Sequence, residues 1–364
     1  MGPGLAGCSK NHSCKAFRKI ILSRNETGDV MFWMFVILFA GIMTGSFGLP
    51  MKYTVKWKWE NTWALWTVWT LLVIPLVAGL VTIPNLFEVL SASGSAVLLK
   101  VFVFGLIWGV SAIAFGFGIH YLGLGLGYSL MMGMIISIGS LYPILTGSLG
   151  EVSTSSILAL IGAVVVIILG VSFSAWAAVI KKRDQDQAEE AQAEEKKSFV
   201  KGVFICIVAG ATAPFINFAF IYGDKIIDTA TSLGISPTLA PNAIWVVALL
   251  GGFFVNISYT LYQVKKNKNW SLFSETGTRI YYFYTFLMGL LWAGSIIIYG
   301  MGATNMGKLG PSVGWATFNA TGIFWANLLG IFTKEWKGVS RKGMIVMAIG
   351  LTVLLAGVFL VRLA

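Results

Sequence analysis

The sequence predicts an all-α membrane protein of ten transmembrane helices arranged as two inverted five-helix repeats, and three observations predict it. Of 364 residues, 57% are hydrophobic and 11% charged, with a mean hydropathy of +0.80. A soluble domain carries about 25% charged residues, so this chain has too few to coat a globule of its length. The apolar residues fall into ten runs, each near the ~20 residues that a spanning helix needs. Finally, one stretch occurs twice: residues 104–123 read FGLIWGVSAIAFGFGIHYLG and residues 288–307 read MGLLWAGSIIIYGMGATNMG. At an offset of 184, Gly105 pairs with Gly289, Trp108 with Trp292, Ser111 with Ser295, Phe115 with Tyr299 and Gly116 with Gly300. Duplicated membrane halves are the mark of secondary transporters, whose substrate site lies between the repeats near the midplane.

Taken in order, residues 1–30 form a polar basic tail, expected to be disordered, with no apolar core for a signal peptide. Cys8, His12 and Cys14 supply two thiols and one imidazole, short of a zinc ligand set, so no metal is expected. The runs follow at about 31–50, 62–83, 97–119, 125–147, 155–180, 199–222, 238–263, 279–301, 311–333 and 343–362, here called spans 1 to 10. Turn residues part them, among them Pro84-Asn85, Gly123-Leu124-Gly125, Gly147-Ser148, Ser236-Pro237 and Gly310-Pro311. Residues 181–198 (KKRDQDQAEEAQAEEKKS) are a charged cytoplasmic linker between a first five-helix half, 31–180, and a second, 199–364. An odd number of spans per half inserts the second half upside down.

The net charge of +11 raises nucleic-acid binding, but the basic residues sit in short clusters between apolar runs, as at a lipid surface. Of the 26 Lys and Arg, 17 follow spans 1, 5, 7 and 9. The positive-inside rule makes that side cytoplasmic and puts both termini on the outer face, although the basic tail argues the other way. Gly123-Leu-Gly125-Leu-Gly127 lacks the strand, spacing and acidic partner of a dinucleotide loop and reads as a tight turn. No cofactor is expected.

Polar residues inside the spans fall into stripes. Pro214 interrupts span 6, with Asn217 and Asp224 on the same face; Asn242, Trp245, Gly252, Asn256 and Tyr259 stripe span 7; Ser312, Trp315, Asn319 and Gly322 stripe span 9. Hydroxyls and amides bond the hydroxyls of a sugar ring, and an aromatic face takes its C–H surface, within a pocket otherwise apolar. The candidate substrate-binding set is therefore Trp108, Ser111, Asn217, Asn256, Trp292, Ser295, Trp315 and Asn319. The competing reading is that the Asn and Ser residues bond neighbouring helices and the Trp residues sit at the lipid interface. Ionisable groups near a span are scarce. Asp224 and His120 are the proton-coupling candidates, each with an alternative as an ordinary helix-end residue.

With these residues in view, the chain resembles the L-rhamnose–proton symporter family of the drug/metabolite transporter superfamily from residue 31 onward. The resemblance is carried by Pro50-Met51-Lys52, Lys56-Trp57-Lys58-Trp59-Glu60 with Trp63, Pro84-Asn85, Phe104-Gly105…Trp108-Gly109, Tyr121-Leu122-Gly123 and Lys334-Glu335-Trp336. It implies ten helices, a bacterial inner-membrane location and uptake of a 6-deoxyhexose coupled to protons. The chain departs from the family at Ser111, Ala112, Ala114 and Ser295, where rhamnose carriers look richer in amides, so the resemblance leaves the sugar open. The expected partners are a small neutral sugar, a proton (or sodium) and the lipid bilayer. An uncoupled or sodium-coupled carrier of another neutral metabolite is the nearest alternative. A membrane enzyme would need clustered His, Asp or Cys within the spans, and a sensor or scaffold would need a sizeable soluble domain.

Overall fold

In hydrocarbon a backbone N–H or C=O finds no partner outside its own helix, so each apolar run folds as one. A computed structural model of the chain describes residues 30–147, 153–185 and 195–361. The tail and the middle of the charged linker lie outside the described residues. The helices are α1 (30–46), α2 (Trp59–Thr82), α3 (Leu86–Ser93), α4 (Ser95–Gly118), α5 (Leu130–Leu145), α6 (Thr154–Gln185), α7 (Glu195–Thr212), α8 (Phe215–Ile221), α9 (Asp224–Ser232), α10 (Pro241–Lys266), α11 (Arg279–Asn305), α12 (Gly310–Phe332) and α13 (Arg341–Val361). No strand occurs among the described residues.

Eight helical segments among these are long and apolar enough to cross a membrane. Two expected spans fall outside that set: α5 is a shorter apolar helix, and the 23 residues of α12 are diluted by Gly, Ser, Thr and Asn.

Spans 3 and 4 differ from expectation in another way. Helical residues follow one another from Ser95 to Leu145, 51 residues, with no irregular segment at Gly123–Gly127. A straight helix of that length would run about 75 Å. This one doubles back: a Cβ on Gly127 would lie 2.9 Å from the Gly118 carbonyl oxygen, and the Phe115 and Tyr128 rings are 6.0 Å apart. The reversal falls where the glycines predict a turn.

Two prolines shape the remaining helices. Pro75 has no N–H to offer the turn before it, and α2 widens there into π-helix over Val68–Val73. Pro214 ends α7, and α8 restarts at Phe215, as the sequence predicts for span 6. The charged linker is shorter than expected, because α6 runs on through Lys181–Gln185 and α7 starts at Glu195.

The connections sort onto two faces. On the basic face Lys52 and Lys181 (3.3 Å) pair with Glu335, and Lys56 with Glu275 (3.3 Å). Trp57 Nε1 donates to the Leu272 carbonyl at 2.8 Å, and the side-chain amides of Asn267 and Asn269 donate to the buried Glu60 carboxylate at 2.7 and 2.6 Å. These residues flank spans 1, 5, 7 and 9, the set expected to share a side. On the opposite face Asn242 donates to Thr82 Oγ1 at 2.9 Å, and the Lys100 ammonium lies 4.0 Å from the Tyr222 ring centroid.

Between the faces, close helix packing depends on missing side chains. Gly105 of α4 lies against the Ala248 carbonyl of α10, and a Cβ on Gly109 would sit 3.0 Å from Gly252 Cα. Small residues let backbones approach where lipid offers no hydrophobic drive between helices.

Candidate functional site

A cavity of about 190 Å³ lies among α1, α2, α4, α5, the α7–α8 break, α8, α11 and α12, so both halves of the chain line it. It is smaller than the ~300–1,000 Å³ of drug-sized sites and suits a small solute. One wall is aromatic. Trp108 and Trp292, the paired indoles of the repeat, stack with centroids 5.1 Å apart and planes at 27°. Trp66 meets Trp292 edge-on at 6.0 Å, and Trp63 lies 4.3 Å from Trp66. Trp59, half-exposed on the basic face, stacks on Trp63 at 5.4 Å. Five indoles thus form a continuous ladder from the basic face to the cavity. Opposite them stand Ala213 and Ile216, either side of the Pro214 break, with Trp315, Phe318 and Asn319 of α12.

Polar groups are few. Ser111 donates to the Ala209 carbonyl at 2.9 Å, which leaves its oxygen as an acceptor. Asn319 donates to the Trp315 carbonyl at 2.9 Å, and its amide oxygen has no partner among the described residues. The Trp63 and Trp315 N–H groups are held, by Asn256 Oδ1 at 3.2 Å and by the Ile135 carbonyl at 3.0 Å. The Trp66 N–H is buried without a partner among the described residues. Among the described residues, no ionisable side chain lines the cavity. The chemistry on offer is an aromatic platform with scattered neutral donors and acceptors, which fits a polyhydroxylated neutral molecule and disfavours an ion.

The cavity opens toward the basic face. Its lining residues lie late in α1 (Thr44, with Phe47 just beyond its end) and α4 (Trp108 to Phe115) and early in α2 (Trp63, Trp66) and α5 (Met132, Ile135). Those are the helix ends that meet the basic face. Toward the opposite face it is plugged by Phe220, Trp245 and Tyr299, each at most 4% exposed.

Of the residues singled out by sequence, Trp108, Ser111, Trp292, Trp315 and Asn319 meet around this cavity. Asn217, Asn256 and Ser295 do not reach its wall. Asn217 donates to the Gly139 and Pro311 carbonyls and accepts from Tyr299. Asn256 donates to the Gly109 carbonyl at 3.2 Å while holding Trp63, and Ser295 donates to the Trp292 carbonyl at 2.6 Å. Each positions a residue or helix of the wall instead. Asp224 starts α9 and lines a separate recess of about 210 Å³ on the opposite face, beside Lys308 and Pro311. The His120 side chain lies outside the described ones.

Sequence reasoning missed Trp63, Trp66, Thr44 and Phe318 as wall residues. The i, i+3 spacing of Trp63 and Trp66 places both on one helix face, the signal that was available. A larger groove, about 750 Å³ over residues 273–282, is made by one loop and the first turn of α11 alone, so it is no site between halves.

Comparison with known proteins agrees with this architecture. The L-rhamnose-proton symporter of Yersinia pestis (strain Pestoides F) is 27% identical over 327 residues, covering 87% of this chain and 93% of that protein. The L-rhamnose-proton symporter of Mannheimia succiniciproducens is 26% identical over 341 residues, 92% of this chain and 96% of that protein. The family described as L-rhamnose-proton symport protein (RhaT) matches residues 27–364. A multi-pass helical chain with a neutral aromatic cavity between its halves, matched by that family along nearly its whole length, is a membrane transporter and no enzyme: it belongs to the L-rhamnose-proton symport protein family.

Proposed function

We propose that the chain imports a 6-deoxyhexose, L-rhamnose or a close relative, by proton symport across the bacterial inner membrane. The observation that carries this reading is the small uncharged cavity walled by the repeat-paired indoles Trp108 and Trp292. A 6-deoxy sugar has a methyl group and an apolar C–H face for the indoles, and ring hydroxyls for Ser111 and Asn319. The sugar and the ion are those of the L-rhamnose-proton symporters to which the chain is similar.

Ten spans in two inverted halves are part of this proposal, with α5 and α12 as the two less apolar spans. Support comes from contacts that recur when the halves are exchanged. Gly105 of α4 packs on α10, and its repeat partner Gly289 of α11 packs on α2, where a Cβ would lie 2.8 Å from Trp69 Cβ. Likewise Gly45 of α1 meets Gly322 of α12, and Gly210 of α7 meets Met134 of α5. The basic face is cytoplasmic in this reading, with both termini outside.

Proton entry gains about 2.3 kcal/mol per 100 mV, enough to concentrate a neutral sugar. The proton travels outside the sugar cavity, because no described residue of its wall is titratable; Asp224, in its recess on the opposite face, is the first candidate to receive it and His120 the second. The same neutral wall favours one other reading, an uncoupled or sodium-coupled carrier. Uptake of a labelled 6-deoxyhexose panel into proteoliposomes, with proton and sodium gradients imposed separately, tests all of these. Accumulation driven by the proton gradient is expected. Failure of every sugar to accumulate refutes the substrate class, and accumulation with sodium alone refutes the coupling ion.

A further inference from the structure

The repeat puts Phe115 and Tyr299 at equivalent positions, followed by Gly116 and Gly300. The structure treats the two pairs oppositely. Tyr299 is fully buried in the plug on the opposite face, its ring within 5.3–6.5 Å of those of Phe318, Trp315, Phe220 and Trp245. Its hydroxyl lies 2.5 Å from Asn217 Oδ1 and 3.1 Å from the Pro311 carbonyl oxygen, either of which accepts its proton. Asn217 in turn donates to the Gly139 carbonyl at 3.1 Å, so the node ties α5 of the first half to α8, α11 and α12 of the second. Phe115 is only half-buried, at the cavity mouth near the basic face.

The neighbouring glycines give an independent view of the same asymmetry. A Cβ on Gly300 would lie 2.6 Å from Trp245 Nε1, whereas a Cβ on Gly116 would meet nothing within 4 Å. The Tyr299 end of the repeat is packed on every side, whereas the Phe115 end packs on Tyr128 and the Met131–Cys206 cluster but keeps open space beside Gly116.

We propose that Phe115 and Tyr299 are paired gate positions for transport: whichever is packed closes its face, and the two exchange roles as the carrier turns. This rests on the reading of the chain as a carrier of two mirrored halves. The exchange is unequal. Phe115 has no hydroxyl. Closing the basic face therefore lacks the hydrogen bond that closes the opposite face. One net hydrogen bond moves a two-state population by about two- to tenfold, so the resting protein favours the form open at the basic face.

Hydrogen–deuterium exchange on the purified protein in lipid nanodiscs, without sugar, tests the pairing. Tyr299→Phe keeps the ring and removes the node. It should speed exchange in Phe215–Ile221 and the first turns of α12 by about two- to tenfold, and slow exchange over residues 111–118 at the mouth. Gly300→Ala, which wedges the plug at Trp245 with the hydroxyl intact, should move both regions in the same directions. A purely structural role would loosen α8 and leave the distant mouth unchanged, and that one-sided result, or no change at either place, overturns the proposal. Because sugar is absent, a failed uptake assay would refute the substrate without touching this result, and a one-sided response would refute the gate without touching the substrate.

Discussion

Asn256 lies on the polar stripe of α10 yet faces Trp63 and α4, so its removal should act on the sugar only through Trp63. In Asn256→Ala the Trp63 N–H loses its acceptor and the Gly109 carbonyl its donor, two bonds between helices. Interhelical hydrogen bonds in membranes average about 0.6 kcal/mol, so the direct loss is about 1 kcal/mol, and the fold should survive. The effect on binding follows from order. Trp63 would swing freely and be fixed again when sugar binds, at about 0.5–1.5 kcal/mol for one immobilised side chain. That predicts a two- to about tenfold rise in apparent Kd. Trp63→Phe, which also abolishes the bond but keeps a ring, should produce a rise of similar size, and the double variant should be no worse than either alone. Equilibrium binding of a labelled 6-deoxyhexose to the four proteins completes the cycle. Additive losses would show that Asn256 and Trp63 act separately, and a loss of a hundredfold or more in Asn256→Ala would put its amide in direct contact with the sugar. Either result refutes the positioning role.

Trp108→Ala and Trp292→Ala should each abolish proteoliposome uptake while leaving a monodisperse, membrane-inserted protein on size-exclusion chromatography; normal uptake by both would remove the indole pair from the site. Gly105→Ala should destabilise by more than the ~1–3 kcal/mol typical of overpacking, because its methyl meets the Ala248 backbone and not a side chain that can turn aside. Gly162→Ala on exposed α6 has open space around it and should match or exceed the parent's melting temperature. Asp224→Asn should abolish proton-driven accumulation but keep sugar counterflow, and unaltered accumulation would exclude it as the coupling group.

Much of the fold was legible because a bilayer leaves the chain few choices. Apolar length gave the helices, Pro214 gave the break after α7, and the glycines at 123–127 gave the reversal between α4 and α5. What the sequence could not show there was that the residues of the turn are themselves helical. The repeat singled out Trp108 and Trp292 because two indoles at one offset are informative in a way that one is not. Trp63 was missed as a wall residue for the converse reason. It sits four residues into α2, just after a Lys- and Trp-rich loop, where tryptophan ordinarily marks the headgroup belt. Asn217 and Asn256 show the limit of stripe reasoning. A helical stripe gives the direction in which a side chain leaves its helix, and from within the bundle a neighbouring backbone and an open cavity lie in the same direction. Only the packed structure distinguishes a residue that lines the cavity from one that holds the wall.

The most direct measurement is an experimental structure of the protein with a 6-deoxyhexose bound. The account predicts sugar density in the cavity between α4 and α11, its C–H face on the Trp108–Trp292 pair and its hydroxyls within reach of Ser111 and Asn319. Sugar bound elsewhere, or α4 and α11 facing lipid with no chamber between them, would contradict it.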